Sequence, residues 1–199
     1  EGKSIEEFAP YARDPHTLAR PWAIPGTPGL EHRIGGLEKE GNTHGSGNIS
    51  YDPANHDHMV RTRQAKIDRI ADSLPPLEVD DPSGKAKVLV LGWGSTYGPI
   101  GAACRRVRRA GYHVAQTHLR HLNPFPADLG DILTRYDKVL VPEMNLGQLS
   151  MLLRAKYLVD AVGYNQVRGL PLKAAGLAQA IGDLVAQTED TPVNLTTTH

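Results

Sequence analysis

Hydrophobic and polar positions change rhythm near residue 85. From there on, short apolar runs alternate with stretches of helical period; before it, only one segment carries a helical pattern. Residues 87–91 (Lys-Val-Leu-Val-Leu) have no polar alternation, which predicts a strand buried on both faces of a parallel sheet. Gly92, Gly94 and Gly98 break that run, and Pro99 suits the first turn of a helix, where its missing N–H costs nothing. The helix that follows puts Ile100, Ala103, Cys104, Val107 and Ala110 on one face and Arg105, Arg106, Arg108 and Arg109 on the other, with Gly111 placed as its C′ residue.

The same unit then repeats. Residues 113–119 form a second strand, Asn123-Pro-Phe-Pro126 a turn, and Pro126 starts a short helix through Ile132 and Leu133. Residues 137–144 hold a third strand and 147–159 a second long amphipathic helix. Residues 161–169 read as an edge strand, and Pro171 opens a last helix that turns Leu172, Leu177, Ile181 and Leu184 inward. Strands alternating with helices across short loops predict an α/β fold, an open parallel sheet with right-handed crossovers, over residues 85–187.

The lead-in is different. Residues 1–51 space Pro10, Pro15, Pro21, Pro25 and Pro28 among many glycines, which forbids a long helix. Trp22, Ile24, Leu30, Ile34 and Leu37 nevertheless give this stretch apolar anchors, so it reads as an extended arm that orders against another surface. Residues 52–84 comprise a helix capped by Asp52 or Asn55, with a narrow Met59, Ile67, Ile70 stripe, and then a proline-stiffened acidic linker. Residues 188–199 read as a polar tail.

Charge and composition remove several classes of function. The 22 basic and 22 acidic side chains cancel, so no global field recruits nucleic acid or an anionic membrane. No apolar run reaches the ~20 residues of a membrane span, and no signal-like segment opens the chain, which points to a cytoplasmic setting. A single cysteine, Cys104, excludes an internal disulfide and a cluster held by this chain's cysteines alone. The chain opens on Glu1 rather than methionine, as a piece of something larger would.

The chemistry is sparse. The turn Gly94-Ser95-Thr96 opens a helix, as a pyrophosphate loop does, yet three residues separate Gly94 from Gly98 and no acidic residue ends the second strand. A free-standing Rossmann-like nucleotide-binding protein is therefore the alternative, and close helix–strand packing the stronger use of these glycines. Cys104 has no neighbouring base and faces inward. Glu143-Met-Asn-Leu-Gly-Gln148 closes the third strand, where open α/β sheets place ligand crevices; Glu143, Asn145 and Gln148 could bind a ligand, dock another chain or cap the next helix. Glu31 and His32 in the arm are a weaker instance of the same kind. No catalytic pair or triad assembles.

Five motifs in fixed order carry a resemblance: Pro25-Gly-Thr-Pro-Gly-Leu-Glu-His32, Ile49-Ser-Tyr-Asp-Pro53, Met59-Val-Arg-Thr-Arg-Gln-Ala-Lys66, Gly94-Ser-Thr96 and Pro142-Glu-Met-Asn-Leu-Gly-Gln-Leu149. Over about residues 20–186 the chain resembles the carboxyl-terminal part of the α subunit of 2-oxoacid:ferredoxin oxidoreductases, most of all the 2-oxoglutarate enzyme. The resemblance implies a transketolase carboxyl-terminal-like fold. It also implies a heteromeric enzyme that converts 2-oxoglutarate and coenzyme A to succinyl-CoA and passes electrons to ferredoxin. Thiamine diphosphate, Mg2+ and a 4Fe-4S cluster are then expected on the β subunit and on upstream α-subunit domains, with none bound by this chain. The chain itself would be an inactive scaffold, with Glu143–Gln148 its best candidate contact with the active-site half or the β subunit.

Overall fold

The computed structural model describes residues 8–33, 35 and 45–189. Ile34, Leu37 and residues 190–199 of the expected tail lie outside the described residues. The chain divides into two compact units, Glu1–Leu74 and Pro75–His199.

In the first unit, the Asp52 carboxylate accepts a hydrogen bond from the Ala54 N–H and Pro53 takes the first turn, which starts helix α1 (Pro53–Asp68). A 3-10 turn, Arg69–Ser73, tightens its end. Met59 is the buried residue of α1, and Ile70 of the expected stripe is exposed. The described part of the proline-rich stretch forms turns and no helix or strand, and it is pinned. Arg69 Nη1 donates to the Pro15 and His16 carbonyls at 2.8 and 2.7 Å, and Arg20 lies over the Tyr11 ring. Tyr11 Oη in turn donates to the Arg33 carbonyl and accepts from the Gly35 N–H.

The second unit is an open five-stranded sheet: β1 (Val79–Asp80), β2 (Val88–Trp93), β3 (Ala115–Leu119), β4 (Lys138–Glu143) and β5 (Ala161–Asn165), in spatial order β1-β3-β2-β4-β5. Strands β2 to β5 are parallel, as the apolar runs predict. The edge strand β1 is antiparallel to β3, so the sheet is mixed rather than wholly parallel. This correction falls where the sequence reads as linker. No hydrophobic period marks two residues; side chains from elsewhere hold them. Arg108 donates to the Asp80 carboxylate and carbonyl, Gln116 Nε2 to the same carboxylate, and Thr117 Oγ1 to the Glu78 carbonyl.

Alternation along β2 splits the core in two. Leu89 and Leu91 join Leu129, Leu133 and Leu153 of helices α3 (Leu129–Leu133) and α4 (Gln148–Tyr157). Val88 and Val90 join Ile100, Val107, Leu177 and Ile181 of α2 (Tyr97–Arg109) and α5 (Ala174–Glu189) on the opposite face. Burial of each such side chain is worth roughly 1.5–3 kcal/mol, so β2 is the strand around which both layers condense.

Element ends differ from the period-based expectation for local reasons. Leu158, at φ +54°, turns left-handed and stops α4 two residues early. The Gln166 N–H donates to the Glu143 carbonyl, after which the chain leaves the sheet and β5 ends at Asn165 rather than at Gly169. Residues 171–173 lie outside the helix, with Leu172 buried, and α5 starts at Ala174 rather than at Pro171. Thr188, expected to open the polar tail, is buried in the last turn of α5, its hydroxyl donating to the Val185 carbonyl.

Candidate functional site

From β2 the chain moves to β3 on one side; β4 lies on the other side of β2, with α2 and α4 on opposite faces. The carboxyl ends of β2 and β4 therefore diverge at a topological switch point, the place where open α/β sheets form their crevice. The loops that leave them are Gly94–Thr96 and residues 144–147.

Glu143 ends β4 completely buried. Its Oε1 accepts from the Leu149 N–H at 2.9 Å, from Asn145 Nδ2 at 3.0 Å and from the Trp93 indole at 3.4 Å; its Oε2 accepts from the Ser150 N–H at 3.1 Å. The carboxylate thus satisfies two unpaired donors at the start of α4 and faces the positive end of that helix. Asn145 Oδ1 accepts from the Gly147 and Gln148 N–H groups at 2.7 and 3.0 Å, closing an Asx-type turn. Gly147, at φ +92°, makes the reversal; a Cβ there would stand 2.9 Å from Asn165 Nδ2. Of the three acceptor choices the sequence leaves open, helix capping is the one that the side chains of Glu143 and Asn145 perform. Gln148 and Leu146 point outward, Leu146 with 86% of its surface exposed.

Across the crevice, Thr96 is buried: its Oγ1 accepts from the Trp93 N–H at 3.2 Å and donates to the Trp93 carbonyl at 2.8 Å. Gly94 takes φ +57°, and both Gly94 and Ser95 are exposed. Ser95 Oγ reaches Met144 Sδ at 3.8 Å, the second link between the loops. Gly92 serves packing: a Cβ there would meet Ile100 Cδ1 at 2.4 Å, Thr96 Oγ1 at 3.0 Å and His118 Nδ1 at 3.1 Å. The structure thus brings Gly94, Ser95, Thr96, Glu143 and Asn145 together at one crevice, with Gln148 on its rim. Glu31 and His32 belong to the first unit and are exposed, the ring of His32 meeting Phe8 edge-on and the Leu30 carbonyl at 2.8 Å. Trp93 and Met144 are the members that the sequence reading misses. An aromatic donor at the carboxyl end of a buried strand is the only signal that could mark Trp93.

Reactive groups are scarce. Burial pushes the Cys104 thiol up to about 12, so it stays protonated against the α2 and α5 core. Burial also lowers His118, with the Gly94 backbone acting in the opposite direction. Among the described residues no three His, Cys, Asp or Glu side chains gather as a metal site, and no helix is long and apolar enough to cross a membrane.

The fold is an open α/β sheet in which the loops after β2 and β4 meet at the topological switch point. Residues 86–169 match the family of the pyruvate:ferredoxin oxidoreductase core domain II. The chain is 62% identical over 183 residues to the 2-oxoglutarate oxidoreductase subunit KorA of Mycobacterium tuberculosis, a match spanning 92% of this chain and 27% of that protein. It is 31% identical over 167 residues to the α subunit of the 2-oxoacid:ferredoxin oxidoreductase 2 of Aeropyrum pernix, across 81% of this chain and 24% of that one. Among solved structures, the 2-oxoglutarate:ferredoxin oxidoreductase of Magnetococcus marinus, described with 2-oxoglutarate, coenzyme A and succinyl-CoA bound, superposes with a TM-score of 0.76 at 33% identity, covering 88% of this chain and 30% of that one. The chain is related to the α subunits of 2-oxoacid:ferredoxin oxidoreductases and spans about a quarter of the length of these curated relatives.

Proposed function

We propose that this chain is a segment of the α subunit of a CoA-dependent 2-oxoglutarate:ferredoxin oxidoreductase. That enzyme converts 2-oxoglutarate oxidatively to succinyl-CoA and delivers the electrons to ferredoxin. The 62% identity to the M. tuberculosis 2-oxoglutarate oxidoreductase subunit carries the assignment, and the match to the M. marinus structure in fold supports it.

In this reading the chain scaffolds a reactive centre held elsewhere. Thiamine diphosphate, Mg2+ and a 4Fe-4S cluster sit on other α-subunit domains and on the β subunit, and the assembly works in the cytoplasm. The buried Glu143 and the half-buried Asn145 hold the loop that presents Leu146 and Gln148, and Gly94 with Ser95 forms the opposite lip. That two-lipped crevice is the contact surface for the active-site half or the β subunit. Glu31 and His32 in the first unit form a second contact.

The test is an assay of the complete α subunit co-expressed with its β subunit. Electron transfer to a viologen dye is expected to require both 2-oxoglutarate and CoA, with pyruvate a poor substitute. Turnover of pyruvate with 2-oxoglutarate ignored overturns the substrate assignment. Asn145→Ala is expected to weaken subunit association or turnover more than Cys104→Ser, and equal retention in the two variants removes the case for the loop.

A further inference from the structure

A second concavity lies on the other side of β2, at the carboxyl end of β3. Strand β1 pairs with β3 only through Val79 opposite Thr117 and Asp80 opposite Gln116. Upstream of Val79 the chain bends away, its Leu77 N–H donating to Asp128 Oδ2 at 2.8 Å. The last residues of β3 are left with an open edge. Residues 75–80 and the start of α2 stand as walls on either side, enclosing a cavity of about 860 Å³ within the second unit. That volume lies in the range of small-molecule sites, roughly 300–1,000 Å³.

The lining has two chemical ends. Pro75, Pro76 and Pro126 make stiff apolar walls, because their backbone φ is fixed before any ligand arrives. Tyr97 stands on the rim, 69% exposed and held edge-on to the His118 ring at a centroid distance of 5.1 Å, so one face of the phenol is open for stacking. Just past the end of β3 sit Arg120 and His121, both exposed; among the described residues neither has a hydrogen-bond or ion-pair partner, and the Arg120 charge acts on the His118 ring. The acids of the lining are Asp80, which is held by Arg108 and Gln116, and Glu78, whose side chain is exposed. Gln116 also leaves an acceptor unmet. Its Nε2 is committed to Asp80, which fixes the amide, and its buried Oε1 accepts from no described residue.

We propose that this cavity is a binding site for a small organic anion with a flat, largely apolar body. The body stacks on Tyr97 between the proline walls, and the phosphate or carboxylate is held by Arg120 with His121 beside it. An arginine is suited to that role because its planar donors match the oxygens of such a head group two at a time. The crevice between β2 and β4 is a separate place in the fold, and the inference does not rest on the assignment of the reaction.

The probe is 1-naphthyl phosphate, titrated calorimetrically into the complete polypeptide carrying this chain, in the assembly with which it purifies. Inorganic phosphate supplies the head group alone and 1-naphthol the body alone. One saturable site per copy is expected, with each fragment binding at least about tenfold more weakly than the whole probe. Arg120→Gln alters an exposed side chain without a described partner, so the fold is retained; it is expected to weaken the probe about tenfold. Tyr97→Ala is expected to weaken it about threefold. Absence of saturation at millimolar probe, equal affinity for 1-naphthol, or unchanged affinity in Arg120→Gln each overturns the proposal.

Discussion

The indole N–H of Trp93 donates to Oε1 of Glu143 across the carboxyl ends of β2 and β4, at 3.4 Å. That hydrogen bond ties the two strands whose outgoing loops diverge, and its acceptor is the same buried carboxylate that caps α4. The two contacts differ in weight. The indole bond is long and sits beside a half-buried side chain, whereas the Leu149 and Ser150 N–H groups are buried and have no intrahelical partner to fall back on.

Glu143→Gln is therefore expected to be much the more damaging of two small changes. Glutamine turns one acceptor oxygen into an NH2 group that must face donors, which costs about 2–3 kcal/mol. Trp93→Phe removes one donor at the edge of the crevice and costs about 1 kcal/mol, because Glu143 keeps its other partners. Urea unfolding of the two variants measures the difference; equal destabilisation would show that the cap is not what holds the crevice.

Gly92, inside β2, and Gly182, inside α5, make opposite predictions. Alanine at 92 places a Cβ 2.4 Å from Ile100 Cδ1, with Thr96 and His118 closing the other sides, and is expected to destabilise by about 1–3 kcal/mol. Alanine at 182 meets nothing within 4 Å in the middle of α5 and is expected to stabilise by about 0.5–1 kcal/mol. Thermal unfolding of the pair checks both signs. A neutral Gly92→Ala would mean that Ile100 repacks and that the glycine is not required for helix–strand contact.

The edge strand β1 depends on Arg108. Its guanidinium donates to the Asp80 carboxylate at 2.8 Å, to the Asp80 carbonyl at 2.7 Å and to the Val114 carbonyl at 3.0 Å. Arg108→Ala is expected to cost about 1–2 kcal/mol and to speed amide hydrogen exchange over 78–81 while β2 and β4 stay protected. The hydrogen bond from Arg108 holds the Asp80 carboxyl below its ordinary 3.8, with Gln116 adding to the effect. A depressed carboxyl contributes stability above that ordinary value and loses it as pH falls through the folded one. Protection of 78–81 should accordingly fade on acidification below about pH 4 in the wild type, with a smaller step in Arg108→Ala, where Gln116 alone still favours the carboxylate.

The sequence made the central strand, the glycine turn, the arginine-faced helix and the parallel order legible, because each rests on an apolar period that few other folds tolerate. Strand β1 was not legible, since two residues held by Arg108, Gln116 and Thr117 leave no periodic trace. Helix α5 ran past its expected end because a threonine can bury itself by returning its hydroxyl to the backbone. At the site, composition singled out the Glu143–Gln148 loop but could not tell a capping carboxylate from a ligand-binding one. That choice depends on where the Leu149 and Ser150 N–H groups fall in space. Trp93 escaped for a related reason: its partner lies 50 residues away in the chain, on a strand it does not follow.

As proposed above, this chain supports a reaction centre carried by its neighbours. Purification of the complete subunit under native, anaerobic conditions, followed by identification of everything that co-elutes, tests it most directly. The expected result is a second subunit with the broad visible absorbance of an iron–sulfur cluster and bound thiamine diphosphate released on denaturation. A polypeptide that elutes alone and turns over a 2-oxoacid unaided would contradict it.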